Sequence, residues 1–100
     1  MGTHSYVGVE HPDGTVEYVE YYLDGYFSEM VPFLKKYQTR EAVLKLIEER
    51  NATEHNKAVA RSTYDLLDQR GIQYVYVFAN DGKWICHKNH PYFYMDELKY

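Results

Sequence analysis

The chain predicts an α+β fold: two β-hairpins forming an antiparallel sheet with about three helices on one face, in the order ββ-ααα-ββ. Three observations carry this. Residues 5–26, SYVGVEHPDGTVEYVEYYLDGY, are β-branched and aromatic on both sides of a Pro-Asp-Gly turn. Residues 72–87 repeat the pattern around Asn80-Asp81-Gly82. Between them, apolar residues recur at helical spacing behind Ser and Thr starters.

In the first hairpin, residues 6–10 and 15–23 are the strands, and His11-Pro12-Asp13-Gly14 turns the chain. A three-residue Pro-Asp-Gly loop pairs Val7 with Val19 and sets Ser5 beside Tyr21, whereas a four-residue loop pairs Val9 with Val16. The first is preferred. It gathers Val7, Val9, Val19, Tyr21 and Leu23 on one face, with Gly8, Glu10, Tyr18, Glu20 and Tyr22 on the other. Glu17 is then the misfit on the apolar face. Asp24-Gly25 ends the strand. A first helix is expected near residues 32–37, because Pro32 sits too deep for a helix capped by Ser28. Thr39 caps a second over residues 40–50, with Val43, Leu46 and Ile47 as its stripe and Asn51 at its end. Thr53 caps a third over residues 54–70, with Val59, Thr63, Leu66 and Leu67 inward, Arg61 and Asp65 paired outside, and Gly71 past its end.

The second hairpin places Val75, Val77 and Ile85 on one face and Tyr74, Tyr76, Phe78, Trp84 and Cys86 on the other. A strand apolar on both sides is either central or a partner surface. An aromatic tail, residues 91–100, ends in a short helical turn. One hundred residues suit a single domain: an acidic hairpin at 2–26, a helical segment at 28–70, a second hairpin at 72–88, then the tail.

Composition narrows the role. Six acids and no Lys or Arg lie before Lys35, and eleven bases with nine acids follow, for a net charge of −4. An acidic first third disfavours direct nucleic-acid binding, which needs cations on phosphates, and matches a partner with a basic surface. Twelve tyrosines exceed what a small core holds, so some are expected outside, where a ring with a polar tip makes a recognition surface. A single cysteine, Cys86, forbids an internal disulfide and suits a reducing compartment. No apolar run reaches membrane-spanning length and no secretory signal opens the chain.

No residue set reaches a catalytic or metal signature, and no cofactor is expected. His87 and His90 lack further ligands at zinc spacing. His4 with Asp24 or Glu20 is an acid–base pair only by proximity across the hairpin. Cys86, in an apolar strand, reads as packing. Gly8 and Gly25 belong to no phosphate loop. The best stacking platform is Tyr74, Tyr76, Phe78 and Trp84, with Arg61, Lys57, Lys83 and Lys88 as cations. The preferred reading of those rings is nonetheless a second small core sealed by the tail at residues 92–94, and a third is a dimer interface.

The opening Gly2-Thr3-His4-Ser5-Tyr6-Val7-Gly8-Val9-Glu10, followed by Pro12-Asp13-Gly14-Thr15, resembles a family of small conserved proteins of tailed bacteriophages. Those proteins open on a Gly-Thr-Arg-Ser type run. Their aromatic second strand ends in Trp-Asp-Gly-Tyr-Pro, and a late Tyr-rich strand leads into an Asp-Gly-Lys/Glu-Trp hairpin. The counterparts here are Leu23-Asp24-Gly25-Tyr26-Phe27 and Phe78-Ala79-Asn80-Asp81-Gly82-Lys83-Trp84. Where the family often shows Cys-His-Trp this chain has Tyr21-Tyr22-Leu23, so no metal or thiol role carries over. The resemblance implies residence in the cytoplasm of an infected bacterial host and a class of small proteins that bind and inhibit host or antiviral-defence machinery. The expectation is therefore a non-enzymatic binding protein whose contact surface is Glu10, Glu17, Tyr18, Glu20, Tyr22 and Asp24. The alternative is a sponge for a small nucleotide signal at a dimer interface, using Tyr74, Tyr76, Trp84, Arg61 and Lys83.

Overall fold

The structure, a computed structural model, describes residues 3–21, 25–68, 72–88 and 92–98. It is α+β: a six-stranded mixed sheet and three α-helices. The strands are β1 (Ser5–Glu10), β2 (Val16–Tyr21), β3 (Ala58–Ala60), β4 (Tyr74–Phe78), β5 (Trp84–His87) and β6 (Tyr92–Tyr94). The helices are α1 (Phe27–Leu34), α2 (Arg40–Glu54) and α3 (Thr63–Leu67), and a 3-10 turn, Met95–Glu97, follows β6. The sheet order is β3-β2-β1-β4-β5-β6.

Both hairpins form around the expected loops. Val7 pairs with Val19 and Ser5 with Tyr21. In each loop a hydrogen bond closes a three-residue turn: His11 N to Thr15 O at 2.8 Å, and Ala79 N to Lys83 O at 2.9 Å. Gly14 and Gly82 take φ of 91° and 83°, which the turn requires and other residues resist.

The two hairpins join, but not as an antiparallel sheet. β1 runs parallel to β4, with Val7 beside Tyr76 and Val9 beside Phe78. β1 and β4 are thereby central, and β4 is buried throughout, which accounts for its apolar residues on both faces. Two short edge strands complete the sheet. β3 comes from within the expected third helix, and β6 from the aromatic tail.

The helices divide between the faces. α1 and α2 cover Val7, Val9, Val19, Tyr74, Tyr76, Phe78, Trp84 and Cys86 through Met30, Val31, Leu34, Val43, Leu46 and Ile47. α3 lies on the opposite face, where Leu66 packs with Val16, Val75 and Val77. The expectation of three helices on one face is therefore corrected to two and one.

Three helix boundaries also move. α1 begins at Phe27 and carries Pro32 inside it. Burial of Met30, Val31 and Leu34 outweighs the lost hydrogen bond, and Pro32 itself stays exposed. Ser28 does not cap; Tyr26 holds that place, without a side-chain bond. α2 starts as expected, with Thr39 Oγ1 accepting from Ala42 N at 3.1 Å. It runs past Asn51 to Glu54, where His55 turns left-handed at φ 54°. The third segment is not one helix. Residues 58–60 pair with β2, Val59 is exposed, and a five-residue helix begins only after Ser62. Arg61 and Asp65 therefore do not share a helical face, and Gly71 lies outside the described residues.

Candidate functional site

The carboxylates of the first hairpin meet groups from the rest of the chain. Glu10 Oε1 accepts from Asn80 N at 3.1 Å. Glu17 lies within 3.4 Å of His11 Nε2 and 3.7 Å of Lys57 Nζ, and Lys57 also binds Glu48. Contact with Glu48, then the charge of Glu17, raises the Lys57 pKa above its ordinary value. Glu20 Oε2 sits 2.7 Å from His4 Nδ1. Asp13 is spent on its own turn, accepting from Thr15 N at 3.0 Å and Thr15 Oγ1 at 2.7 Å, which lowers its pKa. Tyr18 is half-buried, its ring 4.7 Å from that of Tyr6. Burial, with Tyr18 and Glu20 nearby, pushes the Tyr6 phenol up to about 12. Tyr22 and Asp24 lie outside the described residues. The charge asymmetry along the chain thus becomes pairing in space, and the expected acidic contact surface keeps few free carboxylates.

The stacking platform is sealed. Tyr76 is fully buried, and Tyr74 and Trp84 nearly so. Phe27 meets Tyr74 and Tyr76 edge-on at 4.9 and 5.9 Å. Tyr76 Oη donates to Gly25 O at 2.6 Å, and Trp84 Nε1 to Tyr37 O at 2.8 Å. These bonds satisfy the polar tips that burial would otherwise strand. Arg61 follows the β3 edge, four strands from β5 and Lys83, so the ligand set of the sponge reading does not converge.

His4 and Glu20 do come together, as one of the two acid–base pairings anticipated. The dyad lines neither of the clefts below. Cys86 is buried, and desolvation raises its thiol to about 12, leaving it protonated near neutrality. Among the described residues no three of His, Cys, Asp and Glu gather where they could hold a metal. His90 lies outside them.

Two clefts remain. One, of about 530 Å³, lies between the end of α1, the second hairpin turn and the 3-10 turn, with Lys35, Gln38, Lys83 and Asp96 at its rim and Trp84 beneath. The other, of about 330 Å³, is a groove on the α3 side of the sheet. Tyr64 and Leu67 of α3 form one wall, Tyr92 and Tyr94 of β6 the other, with Ile85 and His87 between. Its rings interlock: His87 and Tyr92 centroids are 5.6 Å apart, and Tyr92 meets Tyr94 edge-on at 6.1 Å. Tyr64 and Tyr92 are 75% and 52% exposed, and among the described residues Tyr26, at the exit of the first hairpin, is the other exposed tyrosine, at 52%. α3 has only five residues, so it covers the β1–β4 part of this face and leaves the β5–β6 part open.

A single helix over residues 54–70 gives Tyr64 no distinct place, so periodicity alone does not single it out. The motif Ser62-Thr63-Tyr64-Asp65 is the signal that finds it: a helix starting at Ser62, whose Oγ accepts from Asp65 N at 3.4 Å, turns Tyr64 off the Leu66 side.

No family model, no curated protein and no solved structure matches the chain.

Proposed function

We propose that this chain is a small phage-encoded, non-enzymatic binding protein that inhibits or modulates a host or antiviral-defence protein by direct contact in the host cytoplasm. The phage setting rests on the resemblance of the opening and of the two Asp-Gly turns. The contact reading rests on the half-covered sheet face, where Tyr64 and Tyr92 stand exposed over an apolar floor. Large rings with polar tips, held on a rigid scaffold, bind with little loss of side-chain freedom. Of the surface expected at Glu10, Glu17, Tyr18 and Glu20, Glu10 lines this groove, whereas Glu17 and Glu20 already have partners within the chain.

Capture of partners from infected cells tests it. The wild-type chain retains one specific host protein, and the Tyr64→Ala/Tyr92→Ala variant, equally folded, loses it. A chain that retains no protein under any salt condition contradicts the reading.

The nucleotide-sponge reading keeps one observation in its favour. Lys35 and Lys83 flank the larger cleft, and among the described residues neither is ion-paired. It predicts a rise in melting temperature with micromolar cyclic or ADP-ribose-type nucleotides, abolished by Lys83→Ala. The contact reading predicts no shift.

A further inference from the structure

The tyrosine groove has a direction. Val9 pairs with Phe78, so Glu10 comes level with the end of β4, whereas His87 and Tyr92 stand level with Val75 at its start. At ~3.3 Å per residue the two ends are offset by roughly 13 Å along the strands, and Glu10 on β1 stands three strands, roughly 14 Å, across from Tyr92 on β6, a diagonal that the long arginine side chain helps to span. Tyr92 and His87 line one end, Tyr64 and Tyr94 the walls, and Glu10 the other end. Glu10 gives one carboxylate oxygen to Asn80 N, and the second has no partner among the described residues. Among those residues no Lys or Arg lines the groove.

We propose that this groove receives an extended segment of a partner protein carrying an arginine and, about four residues away on the same face of that segment, an apolar side chain. The inference rests on the contact reading above and names the chemistry of the contact. Phenol rings attract a cation over their faces, and a guanidinium stacks on them better than an ammonium. The free oxygen of Glu10 accepts one charge-assisted hydrogen bond. The apolar residue fills the opposite end between Leu67, Ile85 and Tyr92. An acidic segment meets a carboxylate with no compensating base, and a single amino acid spans too little of the length.

The test titrates the isotope-labelled chain with an acetylated, amidated pentapeptide that has arginine first, leucine last and alanines between, so that both side chains lie on one face. At low salt the amides of Tyr64, Leu67, Ile85 and Tyr94 shift and saturate. The same peptide with glutamate in place of arginine binds at least about tenfold more weakly. Glu10→Gln keeps the acceptor for Asn80 N, so it folds normally. It weakens the arginine peptide roughly three- to tenfold and leaves an all-apolar control peptide unchanged. Tyr64→Ala, at an exposed site, weakens both. Equal binding of the glutamate peptide, indifference to Glu10→Gln, shifts confined to Lys35 and Lys83, or no shift up to about 10 mM peptide overturns the proposal. If captured host protein is retained undiminished by Glu10→Gln and Tyr64→Ala, the contact reading survives and this groove is not its seat.

Discussion

Glu17 is the residue at which the hairpin register and the charge pattern meet. The register forces it onto the face that carries Val7, Val9 and Val19, where a carboxylate is out of place. Its answer is local: His11 across the turn and Lys57 from the far side of α2. That Glu17 stands on this face was legible from loop length alone. The identity of its partners was not, because Lys57 is forty residues away and only the pairing of β3 with β2 brings it near. Tyr6 and Cys86 offer direct checks at the same scale. The Tyr6 phenol ionises late in the fold, near 12 against about 10 in an unfolded chain. Its contribution to stability is therefore whole below pH 10 and is lost as pH rises from 10 through 12. In an ultraviolet titration wild type shows one more late-ionising tyrosine than Tyr6→Phe, which keeps Tyr21, also raised by burial; identical curves contradict the burial. Cys86, fully buried and protonated, reacts with a thiol reagent at pH 8 at least about tenfold more slowly in the folded chain than in denaturant. Equal rates contradict the packing.

Elements were legible where a turn or a cap fixed them and obscure where a distant strand decided. The Pro-Asp-Gly and Asn-Asp-Gly loops set their own hairpins. Thr39 announced α2. Residues 58–60 carry a helical stripe through Val59, but pairing with Val16 and Tyr18 overrides that local preference. The parallel β1–β4 pair had no local sign, because strands on either side of a long crossover meet only through the folded whole. What holds their ends is Arg40, at the start of α2. Its Nη2 donates to Glu10 O at 2.8 Å and to Asn80 Oδ1 at 2.9 Å, while Asn80 Nδ2 donates to His11 O at 3.1 Å. Arg40→Ala should cost about 1.5–3 kcal/mol in denaturant unfolding, since it removes hydrogen bonds to a charged donor. A change under about 0.5 kcal/mol denies the clamp. At the other end of β1, Gly25 lies so close to Thr3 that an added Cβ would stand 2.6 Å from its carbonyl oxygen. Gly25→Ala is expected to destabilise by about 1–3 kcal/mol through that overlap. Unchanged stability would mean the exit turn sits elsewhere.

For the whole molecule, charge and tyrosine prove to be separate matters. Of the acids in the first third, Glu17 meets His11 and Lys57, Glu20 meets His4, and Glu10 accepts from Asn80 N. Among the described residues Tyr74 and Tyr76 are sealed under α1, Tyr6 and Tyr18 are half-buried on the first hairpin, and Tyr26, Tyr64 and Tyr92 are exposed. That the rings outnumber the core was legible in composition. That Tyr64 and Tyr92 flank an open groove was not, because the shortness of α3 depends on β3, which no local pattern showed. No helix among the described residues is long and apolar enough to cross a membrane. In the contact reading proposed above, the groove is where the molecule meets another. Site-specific photocrosslinking reads this most directly. A benzophenone amino acid is placed singly at Tyr64, at Tyr92, at Val59 on the β3 edge or at Lys83 on the lysine cleft, and the infected host is irradiated. The account predicts one shared crosslinked host protein from positions 64 and 92 and none from 59 and 83. Crosslinks from 59 or 83 alone, or none from any position, would contradict it.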